Sequence, residues 1–240
     1  MLALVGPTAC GKSALALAAA RALGGEIIVA DPFQRYRGLE IAADSPGAAE
    51  TGAVPHHAVG DLDLTQLSTA ADFAALAHSA IDDALRRGAV RIPAGAPALS
   101  LRAPTPRRGS PAPPDPEVRA WAEALSLADP AAALAALAAR DPGAAERVDR
   151  DNPRRVARAL EIAADPAPRP PGAGLWGGEV RLPTLVVGLT RPREVLDRRI
   201  AVRVRRELDD GLVAELEAAL DTPGVSREAL QVPGTGLAVP

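Results

Sequence analysis

The chain has 240 residues, 48% of them hydrophobic, and a formal net charge of −3 at pH 7. That supplies enough apolar material for one core with a small insert, while it excludes a strongly basic global field as the means of holding a polyanion. The single cysteine, Cys10, excludes an internal disulfide and any multi-cysteine metal site, and no apolar run reaches the ~20 residues of a membrane span, so a cytoplasmic protein that does not enter the membrane is expected.

In chain order, the apolar run Leu2 to Val5 reads as a buried strand and is followed by a glycine-bounded loop. Ala14 to Leu23 then reads as a helix with Gly24-Gly25 as its stop, and Glu26 to Ala30 as a second buried strand ending at Asp31. Thr69 to Arg87 is a long amphipathic helix with Gly88 as its stop, and Val90 to Ala94 is another strand. After a Pro/Arg-rich linker, Pro104 to Pro116, four helices are predicted over Glu117–Leu127, Ala131–Arg140, Gly143–Val148 and Pro153–Ala164. A Pro/Gly-rich exit, Pro166 to Gly178, leads to the strand Val180 to Leu189 and the helix Pro192 to Asp209. Leu196, Ile200, Val204 and Leu208 give that last helix an apolar stripe at i+4 spacing, read as its buried face.

Alternating strands and helices predict an α/β fold, a parallel sheet flanked by helices, with ligands at the carboxyl ends of the strands. Residues 1–102 and 179–225 form the predicted core and 103–178 a helical insert. Residues 226–240 are expected to be a disordered tail.

Gly6-Pro7-Thr8-Ala9-Cys10-Gly11-Lys12-Ser13 satisfies the full G-x-x-x-x-G-K-[ST] pattern between a predicted strand and a helix. Its glycines let backbone N–H groups turn inward, the helix N-terminus adds partial positive charge, Lys12 adds a full one, and the Ser13 hydroxyl is a candidate Mg²⁺ ligand. Lys12 is the only lysine of the chain; every other basic residue apart from the histidines is arginine. The loop therefore predicts a bound pyrophosphate or triphosphate, with ATP, GTP and an isoprenyl pyrophosphate all open. His56-His57 lacks a third ligand nearby and is assigned no metal or catalytic chemistry.

Asp31-Pro32-Phe33-Gln34-Arg35-Tyr36-Arg37-Gly38-Leu39 resembles the Asp-Ser-x-Gln-Val-Tyr-Arg-Gly-Leu segment of tRNA dimethylallyltransferases. Val54-Pro55-His56-His57, Asp115-Pro116-Glu117-Val118-Arg119, Asp141-Pro142 and Asp151 to Glu161 are similar to that family's later segments in the same order, as is the arginine-rich stretch from Arg193 to Arg203. The resemblance, over about residues 1 to 220, implies a P-loop NTPase-like fold and transfer of a dimethylallyl group from its pyrophosphate to N6 of an adenosine 3′ of the anticodon. It implies Asp31 as general base, Arg193 as the arginine on the leaving pyrophosphate, and Mg²⁺ as cofactor. It also implies tRNA contacts at Asp31, Pro32, Phe33, Gln34, Pro97, Arg119, Arg154, Arg155, Val156, Ala157 and Arg158. A monomer is expected, with the tRNA anticodon arm and dimethylallyl pyrophosphate as its partners.

The chain departs from the family pattern at Pro97, where the family places an active-site threonine; proline has neither a hydroxyl nor an N–H to give. Pro32 likewise replaces a serine, and the chain stops at Pro240 before the family's basic tail. Impaired turnover, an inactive relative that still binds pyrophosphate or nucleotide, and an ATP-dependent small-molecule kinase stand as the alternatives.

Overall fold

The computed structural model describes residues 1–66, 70–95, 115–164, 182–225 and 230. Within them the chain runs β1 (Leu2–Val5), α1 (Lys12–Leu23), β2 (Gly25–Ala30), a 3₁₀ turn (Phe33–Arg35), α2 (Ala48–Thr51), β3 (His56–His57), α3 (Ala70–Arg86) and β4 (Val90–Gly95). It continues through α4 (Pro116–Ala128), α5 (Pro130–Arg140), α6 (Pro142–Arg147), α7 (Pro153–Ala164), β5 (Leu185–Gly188), α8 (Arg193–Asp209) and α9 (Leu212–Leu220). Two units divide it, Met1–Arg108 with Leu175–Pro240, and Gly109–Gly174.

In the first unit the five strands form one sheet in the order β3-β2-β4-β1-β5, every pairing parallel. β2 is buried along its whole length, as its Glu-Ile-Ile-Val-Ala run requires of a strand covered on both faces. One acidic residue sits in that strand. Glu26 accepts from Arg87 and pairs with His57, and the Arg87 guanidinium holds its carboxyl down at about 2. The buried charge is thereby compensated at the entrance to the strand.

β4 carries Pro93 although two strands flank it, against the usual confinement of proline to sheet edges. Proline has no N–H to donate, and β4 pairs with β1 only beyond it, at Ala94 and Gly95, whereas it pairs with β2 along six residues. At Gly95 a Cβ would stand 2.3 Å from the Ala30 carbonyl oxygen, so only glycine lets β4 approach the end of β2 this closely. That contact fixes the point at which the chain leaves β2 for Asp31.

α1 begins at Lys12, two residues before the predicted start, because Gly11 adopts the left-handed conformation (φ +105°) at the N-cap and lets Lys12 and Ser13 join the first turn. α2, β3 and α9 were not predicted as elements. α9 anchors the segment after the 3₁₀ turn: the Glu215 carboxylate accepts from the Ile41 and Ala42 amides, both at 2.8 Å, and Leu212 and Ala219 pack with Tyr36, Leu39 and Ala42.

The second unit is helical. Asp115, Asp129 and Asp141 each accept from a backbone amide at the start of α4, α5 and α6, and each is followed by proline at the first helical position. The predicted starts fall one residue late because that proline is already inside the helix. Ala122, Ala133, Leu137, Val156, Ala157 and Leu160 form its core. Among the described residues, no helix is long and apolar enough to cross a membrane.

Candidate active site

β1 has β4 on one side and β5 on the other, so its carboxyl end is a point where chain connections leave the sheet in opposite directions and a crevice opens. A cavity of about 860 Å³ lies there, lined by the loop after β1, by Asp31 after β2, by Ala94 and Gly95 of β4, and by one side of α8.

Gly6, Pro7, Thr8, Ala9, Gly11, Lys12 and Ser13 all face this cavity. A Cβ on Gly6 would stand 2.5 Å from the Leu189 carbonyl oxygen and 2.8 Å from Cys10 Sγ, so the loop closes this tightly only with glycine. Cys10 does not line the cavity; its side chain is buried beneath the loop. Ala9 is held at φ +62°, a conformation that disfavours a residue with a Cβ. Lys12 Nζ donates to the Gly6 and Pro7 carbonyls at 3.0 and 2.8 Å, which keeps the ammonium curled over the loop.

Asp31 lines the same cavity, half-buried, with Oδ1 accepting from the Phe33 amide at 3.0 Å. Burial pushes its carboxyl above the ordinary aspartate value, and the Phe33 amide, Arg203 and Lys12 pull the other way. A carboxylate facing a cavity with a raised pKa is suited to accept a proton. Phe33 and Gln34 also line the wall, and Gln34 Nε2 donates to the Ala43 and Asp44 carbonyls. Pro32 does not line it. His56 does, with Nδ1 beside the Val54 carbonyl oxygen at 2.8 Å.

α8 closes the opposite side. Arg199, Arg203 and Glu207 recur every four residues and share a face, and the first two line the cavity together with Arg198 and Arg206. Arg199 Nε donates to the Ala9 carbonyl at 2.7 Å; Arg203 and Arg206 reach the Asp44 carboxylate at 3.2 and 2.5 Å. The helix is thus rotated about 100° from the sequence expectation: Ile200, Val204 and Leu208 of the apolar stripe are exposed, while in the neighbouring polar row Arg203 is half-buried and Glu207 is buried.

Arg193, the arginine expected at the leaving group, is not brought to the cavity. Its side chain is 84% exposed and pairs with Asp197. Six residues before Arg199, it falls about 120° away around the helix. The sequence signal that marks the inward arginines is the i, i+4 spacing of Arg199, Arg203 and Glu207. Val156 and Ala157 are corrected as well: both are buried in the helical unit's core, so their side chains have no surface to offer an RNA. Arg119, Arg155 and Arg158 are partly exposed, Arg119 and Arg158 against Glu161 and Arg155 against Asp149, and Arg154 lies on an exposed turn of α7. Pro97 and the 226–240 tail, apart from Leu230, lie outside the described residues.

No group of three or more His, Cys, Asp or Glu that could hold a metal ion occurs among the described residues. The fit to Mg²⁺ rests on the Ser13 hydroxyl facing the cavity beside the phosphate loop. That donor set suits an ion that keeps several waters and is held mainly by a substrate's phosphate oxygens.

Residues 34–237 match the IPP transferase family, and residues 1–57 match the isopentenyl transferase family. The chain is 41% identical over 223 residues to the tRNA dimethylallyltransferase of Kineococcus radiotolerans, covering 90% of this chain and 70% of that protein. It is 42% identical over 219 residues to the tRNA dimethylallyltransferase of Salinispora arenicola, covering 91% of this chain and 64% of that one. The crystal structure of the tRNA isopentenylpyrophosphate transferase from Bacillus halodurans superposes with a TM-score of 0.61 at 32% identity, over 92% of this chain and 69% of that one.

Proposed function

The chain belongs to the IPP transferase family, and from that premise we propose how it works as a tRNA dimethylallyltransferase. The donor is dimethylallyl pyrophosphate and the acceptor is N6 of the adenosine 3′ of the anticodon. The observation that carries the reading is one cavity lined by an anion-cradling loop, a half-buried carboxylate and a row of arginines.

The pyrophosphate sits on the loop Gly6 to Ser13, where Lys12 swings from the Gly6 and Pro7 carbonyls onto phosphate oxygen. Arg199, poised between the loop and the cavity, takes the role expected of Arg193 and meets the charge that develops on the leaving group. Ser13 would hold Mg²⁺, which supplies further neutralisation of the pyrophosphate when bound. The adenine enters along Phe33 and Gln34. Its N6 attacks the allylic carbon, the carbon–oxygen bond to pyrophosphate breaks, and the proton lost from nitrogen passes to Asp31. Arg119, Arg154, Arg155 and Arg158 contact backbone phosphates of the anticodon arm. The protein works as a cytoplasmic monomer.

A small-molecule kinase would use the same loop for ATP. Calorimetric titration with dimethylallyl pyrophosphate and with ATP, each with Mg²⁺, separates the two readings. The prenyl donor is expected to bind at least ten-fold more tightly; preference for ATP by that margin would favour the kinase.

A further inference from the structure

Arg191 lies between β5 and α8 and does not line the cavity, yet its Nε donates to the Cys10 carbonyl at 2.8 Å, 181 residues away in the chain. Arg199 Nε grips the carbonyl immediately before it, that of Ala9, at 2.7 Å. Two guanidinium groups thus hold consecutive carbonyls at the apex of the phosphate loop. A third observation belongs to the same peptides: Ala9 is at φ +62°, a strained state that persists only where surrounding contacts over-determine it.

The geometry points to Arg191 as a positioning residue for pyrophosphate binding, acting through the Cys10–Gly11 peptide. In a trans peptide the C=O and the following N–H point in opposite directions. With the Cys10 carbonyl turned onto Arg191, the Gly11 amide is turned the other way, and Gly11 lines the cavity. The Nη2 of Arg191 stands 3.7 Å from where a Gly11 Cβ would be, so the guanidinium lies against this same peptide. Among the described residues Arg191 makes no ion pair with a carboxylate, which leaves its charge directed at the loop. The ligand never needs to touch it. Arg191 sets the direction of a backbone donor before the ligand arrives, which lowers the ordering that binding would otherwise require.

The inference rests on pyrophosphate occupying the loop, and the test separates the two. Inorganic pyrophosphate and dimethylallyl pyrophosphate are titrated into the wild-type protein and into Arg191→Met, which keeps length and removes the donor. Both ligands are expected to bind the variant about 10-fold more weakly, with the KM for tRNA and the melting temperature unchanged. The ratio of variant to wild-type affinity is then followed from low to high ionic strength. A hydrogen bond that orients a peptide gives a ratio that persists; a distant charge acting through the field is screened, and its ratio falls toward one. If Arg191→Met melts early, Arg191→Lys replaces it, which keeps the charge and loses the planar Nε donor that meets the Cys10 carbonyl, and the same persistent weakening is expected. Wild-type affinity in the variant, or a defect that salt removes, overturns the inference. Failure of the wild-type protein to bind either ligand would overturn the reading of the loop itself.

Discussion

Asp31→Asn is expected to lower prenyl transfer by about 10²-fold or more while leaving the affinity for dimethylallyl pyrophosphate nearly unchanged. The amide keeps the shape of the carboxylate and can still accept from the Phe33 amide, but it cannot take the proton from N6. The pH profile carries a second signature. Burial raises the Asp31 pKa above the ordinary aspartate value, so the wild-type kcat/KM declines as pH falls through that raised value and the carboxyl protonates. The decline is expected to begin at a higher pH than for a solvated carboxylate, and to vanish in Asp31→Asn. Steady-state kinetics with tRNA across pH checks both. Equal loss of donor binding and turnover would make Asp31 a metal or structural ligand instead.

Lys12→Ala carries the other large effect, on binding. The ammonium lies within hydrogen-bonding distance of two loop carbonyls and must exchange them for phosphate oxygen, a charge-assisted contact worth roughly 1.5 to 3 kcal/mol, or about 10- to 160-fold in affinity. Calorimetry with inorganic pyrophosphate measures it without requiring turnover. The fold should persist, since Lys12 contributes to no core cluster. Unchanged affinity for pyrophosphate would remove the loop from the account.

The phosphate loop was legible in the sequence because its chemistry is local: the anion demands small residues, a lysine and a helix start in a fixed order, and the same order appears in the chain. β1, β2 and β4 were legible for a related reason, since buried parallel strands read as short apolar runs. β3 was not. It is two histidines long and shows no alternation; it is a strand because β2 offers its backbone edge, at Ile27 and Ile28.

The arginine side of the site was half legible. The sequence marks an arginine-rich helix, but the apolar residues Leu196, Ile200, Val204 and Leu208 suggest a different phase for it. What fixes the phase is contact across long sequence separation, of Arg199 with Ala9 and of Arg203 and Arg206 with Asp44. Periodicity within one segment carries no information about such partners, and so it does not separate Arg193 from the downstream arginines that line the cavity. Asp44 carries no sequence signal for the same reason: it lies in an irregular segment, at φ +48°, held in place by Gln34 and α8. Glu26 is similar, an acidic residue inside an apolar strand whose partners are His57 of β3 and Arg87 in the turn after α3.

The central claim is prenyl transfer to tRNA from the cavity at the end of β1. The direct measurement is incubation of the protein with unmodified tRNA, labelled dimethylallyl pyrophosphate and Mg²⁺, followed by nuclease digestion and separation of the nucleosides. Label is predicted in N6-dimethylallyladenosine from the position 3′ of the anticodon, and its loss is predicted in Asp31→Asn. Binding of both substrates at saturating concentration with no labelled nucleoside from the wild-type protein would contradict the account.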